Sequence, residues 1–278
     1  AGRRAGSPAG LPGLATKPEV KAAAGPKALL RRAGTLRPSL PDPAPRDVGF
    51  RLGASRGVAC WASVEDSAIL LGPPRSGKGL HTVIGMILDA PGAVVTTSTR
   101  PDNLTATMNA RSSDGRPVAV FDPQGLAAGV PSATKWSPVR GCEDPQTAMI
   151  RAIAMTTDAG EGVENGSFWT QQASTVVRCL LHAAALGRRP TVELYQWSLS
   201  PGAAKGAVDI LKSKPHATPS WGRALEAIVS SDPRQRDSVW SMVSNTFAAL
   251  ADPAVLASLS PESWEAFDPA AFLQSKGT

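Results

Sequence analysis

Residues 71–85, LGPPRSGKGLHTVIG, bring together the residue types in this chain best suited to binding chemistry. Four residues separate Gly72 from Gly77-Lys78, the G-x-x-x-x-G-K spacing of a loop that grips phosphate. Gly72, Pro73, Pro74, Arg75, Ser76, Gly77, Lys78 and Gly79 are therefore the candidate binding residues. In such a loop the backbone N–H groups turn inward onto phosphate oxygens and the dipole of the following helix adds positive potential. Gly72 and Gly77 permit the backbone angles and the close approach, and Lys78 would reach the β- and γ-phosphates of a nucleotide. The plainer reading of the same residues is a Gly-rich turn.

Gly79 departs from the pattern, because a Ser or Thr hydroxyl normally ligates Mg²⁺ there. The ion would then be held by water, by nucleotide and by a carboxylate elsewhere; Thr82, a turn further on, is a poor substitute. Hydrolysis also requires an apolar strand ending in Asp, often Asp-Glu, to hold Mg²⁺ and polarise water. PVAVFD (117–122) ends in Asp122, but Pro123-Gln124-Gly125 supplies no second acid. No residue is assigned a catalytic or metal-ligating role, and the chain alone is expected to bind a nucleotide while hydrolysing it poorly or not at all.

The elements that must position this loop can be read on either side of it. VACWASV (58–64) and SAILLG (67–72) read as β segments, the second nearly continuously apolar, as a strand buried on both faces is. Leu80, Val83, Ile84, Ile87 and Leu88 recur at helical spacing. AVVTTS (93–98) and PVAVFD (117–122) are two further strand candidates, separated by a helix opened by Pro101 and Asp102. Strand and helix alternating in this way imply an α/β fold with a parallel sheet and right-handed crossovers. Beyond Glu143 the β-branched runs give way to Ala-, Leu- and Gln-rich helical stretches, of which SFWTQQASTVVRCLLHAAALG is the longest. TVELYQWSL (191–199) is ambiguous between strand and short helix. The expected division is a linker over 1–46, the first part of a nucleotide-binding domain over 47–142, an all-α subdomain over 143–265 and a return to the first domain over 266–278.

Charge and composition narrow the function classes. The net charge of +6 is concentrated at the start: residues 1–46 hold nine Lys/Arg against Glu19 and Asp42, whereas the other 232 residues carry 20 basic and 21 acidic groups. The basic character thus belongs to a Pro/Gly/Ala-rich leader, expected to be a disordered tether, and not to the folded part. No apolar run approaches the length of about 18 residues that a membrane span needs. Cys60, Cys142 and Cys179 are odd in number and widely spaced, as are the three histidines, which argues against a disulfide framework or a side-chain metal cluster. GASRG (53–57) matches a nucleophile elbow, but a β-like run follows it where a helix is required. GEGVENG (160–166) misses the dinucleotide spacing, and the seven tryptophans sit at helical positions that fit core or interface.

Taken in order, WASVEDSAILLGPPRSGKG, VVTTSTRPDNL, VFDPQGL and WSPVRGCEDPQTAMIRA resemble the coupling proteins of type IV secretion, the TraG/TraD-like DNA-translocating P-loop ATPases, and most closely their actinobacterial type. The resemblance covers roughly residues 47–278, and the G-K-G ending is usual in much of that family. It implies a RecA-like nucleotide-binding domain interrupted by an all-α subdomain, ATP and Mg²⁺ as ligands, and a homo-hexameric ring at the cytoplasmic face of the plasma membrane. Implied partners are single-stranded transfer DNA with a relaxase-type substrate, and secretion-channel components. The resemblance also implies membrane segments and a carboxylate-bearing strand that this sequence does not contain, so a piece of a longer chain is expected, with FDPAAFLQSKGT returning to the sheet. Two alternatives stay open: a docking module whose loop is vestigial, and another DNA-translocating P-loop motor, such as one for chromosome segregation or replication.

Overall fold

The computed structural model describes residues 13–113, 115–130, 132, 134–157, 166–275 and 277–278. They divide into two units, one comprising 1–119, 126–130 and 269–278, the other 120–125 and 131–268.

The first unit opens with four short helices: α1 (Lys17–Ala24), α2 (Pro26–Leu30), α3 (Ala33–Leu36) and α4 (Pro45–Val48). At the start of α1 the Thr16 N–H donates to the Glu19 carboxylate at 2.6 Å, and Pro18 sits where a missing N–H costs nothing. The leader expected to be disordered covers 1–46; residues 1–12 of it lie outside the described residues, and within 17–48 the chain forms these helices. Leu29, Ala33 and Val48 are buried, and Leu30, Leu36 and Trp61 pack against them. Composition averaged over 46 residues conceals this small apolar cluster, which folds because the strands that follow cover it. β1 (Gly49–Ser55) and β2 (Val58–Ser63) form an antiparallel hairpin closed by Arg56 and Gly57, both at positive φ, as a two-residue primed turn demands. Ser55 is thus the last residue of a hairpin strand and no nucleophile elbow.

Gly79–Val83 form a π-helical turn that runs on into α5 (Ile84–Asp89), and α6 (Asp102–Ser113) follows. Among the described residues the ladder expected of 67–72, 93–98 and 117–122 is not formed, and regular sheet pairing is limited to β1 and β2. Ile69, Leu71 and Val95 are more than four-fifths exposed. The end of the chain, however, bonds to two of these segments. Val94 N–H donates to Gly277 O at 2.9 Å, Thr278 N–H to Pro117 O at 2.9 Å, and Ala119 N–H to Thr278 O at 2.8 Å. The last two bonds straddle Val118 in the slanted pattern of parallel strands. Arg111, fully buried on α6, ties the same edge together by donating to Ala90 O at 2.7 Å, Gly92 O at 2.9 Å and Gly277 O at 3.4 Å.

The second unit is helical: α7 (Pro145–Thr156), α8 (Gly166–Leu186), α9 (Thr191–Leu199), α10 (Lys205–Ser213), α11 (Trp221–Val229), α12 (Pro233–Thr246) and α13 (Pro253–Ser258). Its axis is α8, on which Ala173, Val176, Val177, Leu180, Leu181 and Ala184 form one fully buried stripe. Three of its helices start with the same device. Asp144, Asp232 and Asp252 each accept a bond from a first-turn N–H, and Pro145, Pro233 and Pro253 follow at the first helical position. TVELYQWSL resolves as helix, α9. The first and last stretches of this unit lie side by side. Lys135 and Ala266 form a parallel bridge, Phe267 N–H donates to Lys135 O, and Lys135 pairs with Glu265 at 2.9 Å. The chain then re-enters the first unit, where α14 (Pro269–Gln274) leads to Gly277 and Thr278.

Candidate functional site

The loop from Gly72 to Gly79 is exposed over Gly72–Ser76 and half-buried from Gly77 to Gly79. A turn closes its middle, with Ser76 N–H donating to Pro73 O at 3.3 Å. Arg75 (φ +61°) and Gly77 (φ +82°) are left-handed, whereas Lys78 is right-handed. Alternation of hands is the pattern in which successive N–H groups can turn toward one side, as in anion-binding nests. Gly77 has a further reason to be glycine, since an added Cβ would stand 2.5 Å from the His81 ring. His81 N–H donates to Gly77 O at 2.8 Å, so the helix begins at the second glycine.

Lys78 lies folded along its own loop. Its ammonium donates to Gly72 O and, at 3.2 Å, to Pro73 O. Its charge therefore sits across the mouth of the loop. The space above Gly72 is taken by the Ser76 hydroxyl and the Lys78 stem, 2.9 Å and 3.5 Å from where a Cβ would stand. All eight candidate residues thus fall on one continuous turn into a helix. What they can do chemically is surround a small polyanion with backbone donors and one ammonium.

Two residues that sequence reasoning left unassigned adjoin this edge. Asn103, on the first turn of α6, points its side-chain oxygen at Gly79, 3.0 Å from the position of a Cβ there. Arg111 ties residues 90 and 92 to Gly277 near the end of the chain. Only chain folding brings Asn103 and Gly79 together, and no local spacing marks Asn103 or Arg111. Arg100 pairs with Asp102 at 3.1 Å.

Cys142, Cys179 and His182 are structural residues. Burial raises the Cys142 thiol to about 11 and the Cys179 thiol to about 12, so neither is a thiolate nucleophile at neutral pH. His182 is fully buried between Cys142 O (2.7 Å from Nδ1) and Thr218 N–H (3.1 Å from Nε2), a structural role. Trp197 and Trp240 are core residues and Trp169 packs against the same core, whereas Trp264 is exposed. Residues 160–165 of GEGVENG lie outside the described residues. Among the described residues no cluster of three metal-ligating side chains occurs, and no helix is long and apolar enough to cross a membrane.

The family model for conjugative DNA transfer by the type IV secretory system matches residues 23–268. The chain belongs to that family. No curated protein matches it. As a member of the conjugative DNA transfer family it carries the family region through both units, starting within α1, upstream of the residue 47 at which the motif resemblance begins. The family expected from the four ordered motifs is therefore met.

Proposed function

We propose that this conjugative DNA transfer protein binds ATP with Mg²⁺ at residues 72–79 and belongs to a RecA-like motor that drives substrate into a secretion channel. The observation that carries the reading is the loop itself: left-handed Arg75 and Gly77, right-handed Lys78, and an ammonium laid across the mouth at Gly72 O and Pro73 O. The bonds across Val118, and the interruption of the first unit by a helical one, support the RecA-like reading with a parallel sheet and an inserted all-α subdomain. In the working protein the cargo is single-stranded DNA with a relaxase-type protein, the assembly a homo-hexamer, and the place of work the cytoplasmic face of the plasma membrane. Bound nucleotide supplies the free energy. The chain's own residues bind and orient the phosphates, Lys78 exchanging its two loop carbonyls for phosphate oxygens.

The test is the affinity of the full chain for a non-hydrolysable ATP analogue, beside Lys78→Ala. The reading expects a loss of at least about a hundredfold, on the order of the 2.7 kcal/mol that two charge-assisted hydrogen bonds contribute. Equal binding by both proteins refutes it.

A second reading, recruitment of the transfer substrate by the helical unit, is favoured by one feature. A groove of about 700 Å³ lies between α7 and α8, lined by Met149, Ile153, Thr170, Gln171, Ser174 and Arg178 among others. Substrate capture by the full chain that persists undiminished in Lys78→Ala and without nucleotide is the result that favours it.

A further inference from the structure

We propose that the Asn103 carboxamide supplies the metal-directed oxygen that Gly79 cannot. This inference rests on the nucleotide-binding reading of residues 72–79. A Ser or Thr at position 79 would carry its oxygen on Cβ, within the first turn of the helix. In this chain the Cβ is missing, and the nearest group to its place is the Asn103 side-chain oxygen at 3.0 Å, with the carboxamide carbon behind it at 3.9 Å. The oxygen therefore points at the vacated space. The distance is tighter than an ordinary contact, so Gly79 and Asn103 depend on one another: a side chain at 79 would push the carboxamide away.

The backbone that carries the carboxamide is held in place. Thr107 Oγ1 donates to Asn103 O at 2.8 Å and Thr105 Oγ1 to Pro101 O at 2.6 Å, fixing the first turn of α6 on which Asn103 sits. The side-chain amide itself makes no hydrogen bond to the described residues, which leaves its oxygen available to a ligand. A neutral amide oxygen is a hard donor suited to Mg²⁺, which takes one or two protein oxygens and completes its shell with phosphate and water. The donor set here fits that demand: one amide oxygen beside a loop built for phosphate, and no group of three acidic or imidazole side chains among the described residues that would hold a cation without nucleotide. In liganded form, Asn103 would orient the ion at the start of the helix, the part a residue-79 hydroxyl plays elsewhere.

The experiment measures the affinity of the full chain for a non-hydrolysable ATP analogue in EDTA and in Mg²⁺, with Mn²⁺ paramagnetic resonance as a direct reading of the ion's ligands. The wild-type chain is expected to bind the analogue more tightly with Mg²⁺. Asn103→Ala is expected to lose about tenfold of that gain, the scale of disturbing a metal site's supporting ligands, to keep its metal-free affinity, and to alter the Mn²⁺ spectrum. Gly79→Ser placed in the Asn103→Ala chain is expected to restore the gain, because the hydroxyl then has both the oxygen and the room. Four results overturn the proposal: no metal-dependent gain in the wild-type chain, an equal gain in Asn103→Ala, an equal loss with and without metal, or no recovery with serine at 79. Failure of the underlying reading looks different, since the wild-type chain would then bind no analogue under either condition.

Discussion

Replacing His182 tests whether the helical unit is organised as described. The side chain is fully buried on α8, and both ring nitrogens are engaged. Thr218 N–H donates to Nε2 at 3.1 Å, which places the proton on Nδ1, and that proton is given to Cys142 O at 2.7 Å. The ring thereby ties the approach to α7 to the turn before α11, and it meets Trp221 edge-on with ring centroids 5.1 Å apart. His182→Ala leaves a carbonyl and an amide N–H without partners, at about 1–3 kcal/mol each. Loss of the edge-on ring contact adds about 0.5–1.5 kcal/mol. The sum is about 4 kcal/mol, a large part of the roughly 5–15 kcal/mol by which a domain is stable. His182→Phe keeps a ring against Trp221 and is expected to cost about 3 kcal/mol, nearly all from the orphaned polar groups. Urea unfolding followed by near-ultraviolet circular dichroism reads both values, because the tryptophans of this core report its packing. If His182→Ala costs less than about 1 kcal/mol, the two bonds do not bridge these elements in solution and the reasoning fails.

Three further outcomes follow from the geometry. Gly77→Ala forces a side chain into a left-handed position at a cost of about 1–2 kcal/mol, so ATP-analogue binding should weaken about tenfold while urea unfolding of the helical core is unchanged; wild-type binding would contradict this. The Thr147 N–H and then its hydroxyl hold the Asp144 carboxyl below the usual carboxylate range; a depressed value contributes stability above the unfolded carboxylate value of about 3.9 that is lost as pH falls through the folded one. Asp144→Asn should therefore flatten the acid limb of a melting-temperature profile between about pH 2 and 5, and an unchanged limb would sink the assignment. Alkylation at about pH 8, read by mass spectrometry, should label half-buried Cys60 and spare Cys142 and Cys179, whose thiols burial pushes to about 11 and about 12; fast labelling of all three would mean that the core opens.

The loop was legible because its signals are local. Two glycines, one lysine and the following 3.6-residue periodicity all fall within one turn and one helix, where spacing translates directly into geometry. The helical unit was legible for the same reason, although its prolines read as breaks: Pro145, Pro233 and Pro253 open helices behind an aspartate cap. The N-terminal helices escaped notice because their small apolar cluster of Leu29, Ala33 and Val48 is joined by Trp61, a residue of the hairpin that follows them. Apolar runs such as SAILLG signal extended chain, but a ladder needs neighbours, and among the described residues the backbone bonds to the segments at 94 and 117–119 come from Gly277 and Thr278. Asn103 and Arg111 were invisible in principle, since each acts on groups brought near by folding.

The central claim is that the amides of residues 75–79 form the phosphate cradle. Hydrogen exchange resolved to this segment, with and without a Mg²⁺-loaded ATP analogue, tests it most directly. Strong slowing at Ser76, Gly77, Lys78 and Gly79, with little change along α10 and α11, is the expected result. Analogue binding that leaves these amides exchanging freely, or that protects another part of the chain instead, would contradict the account.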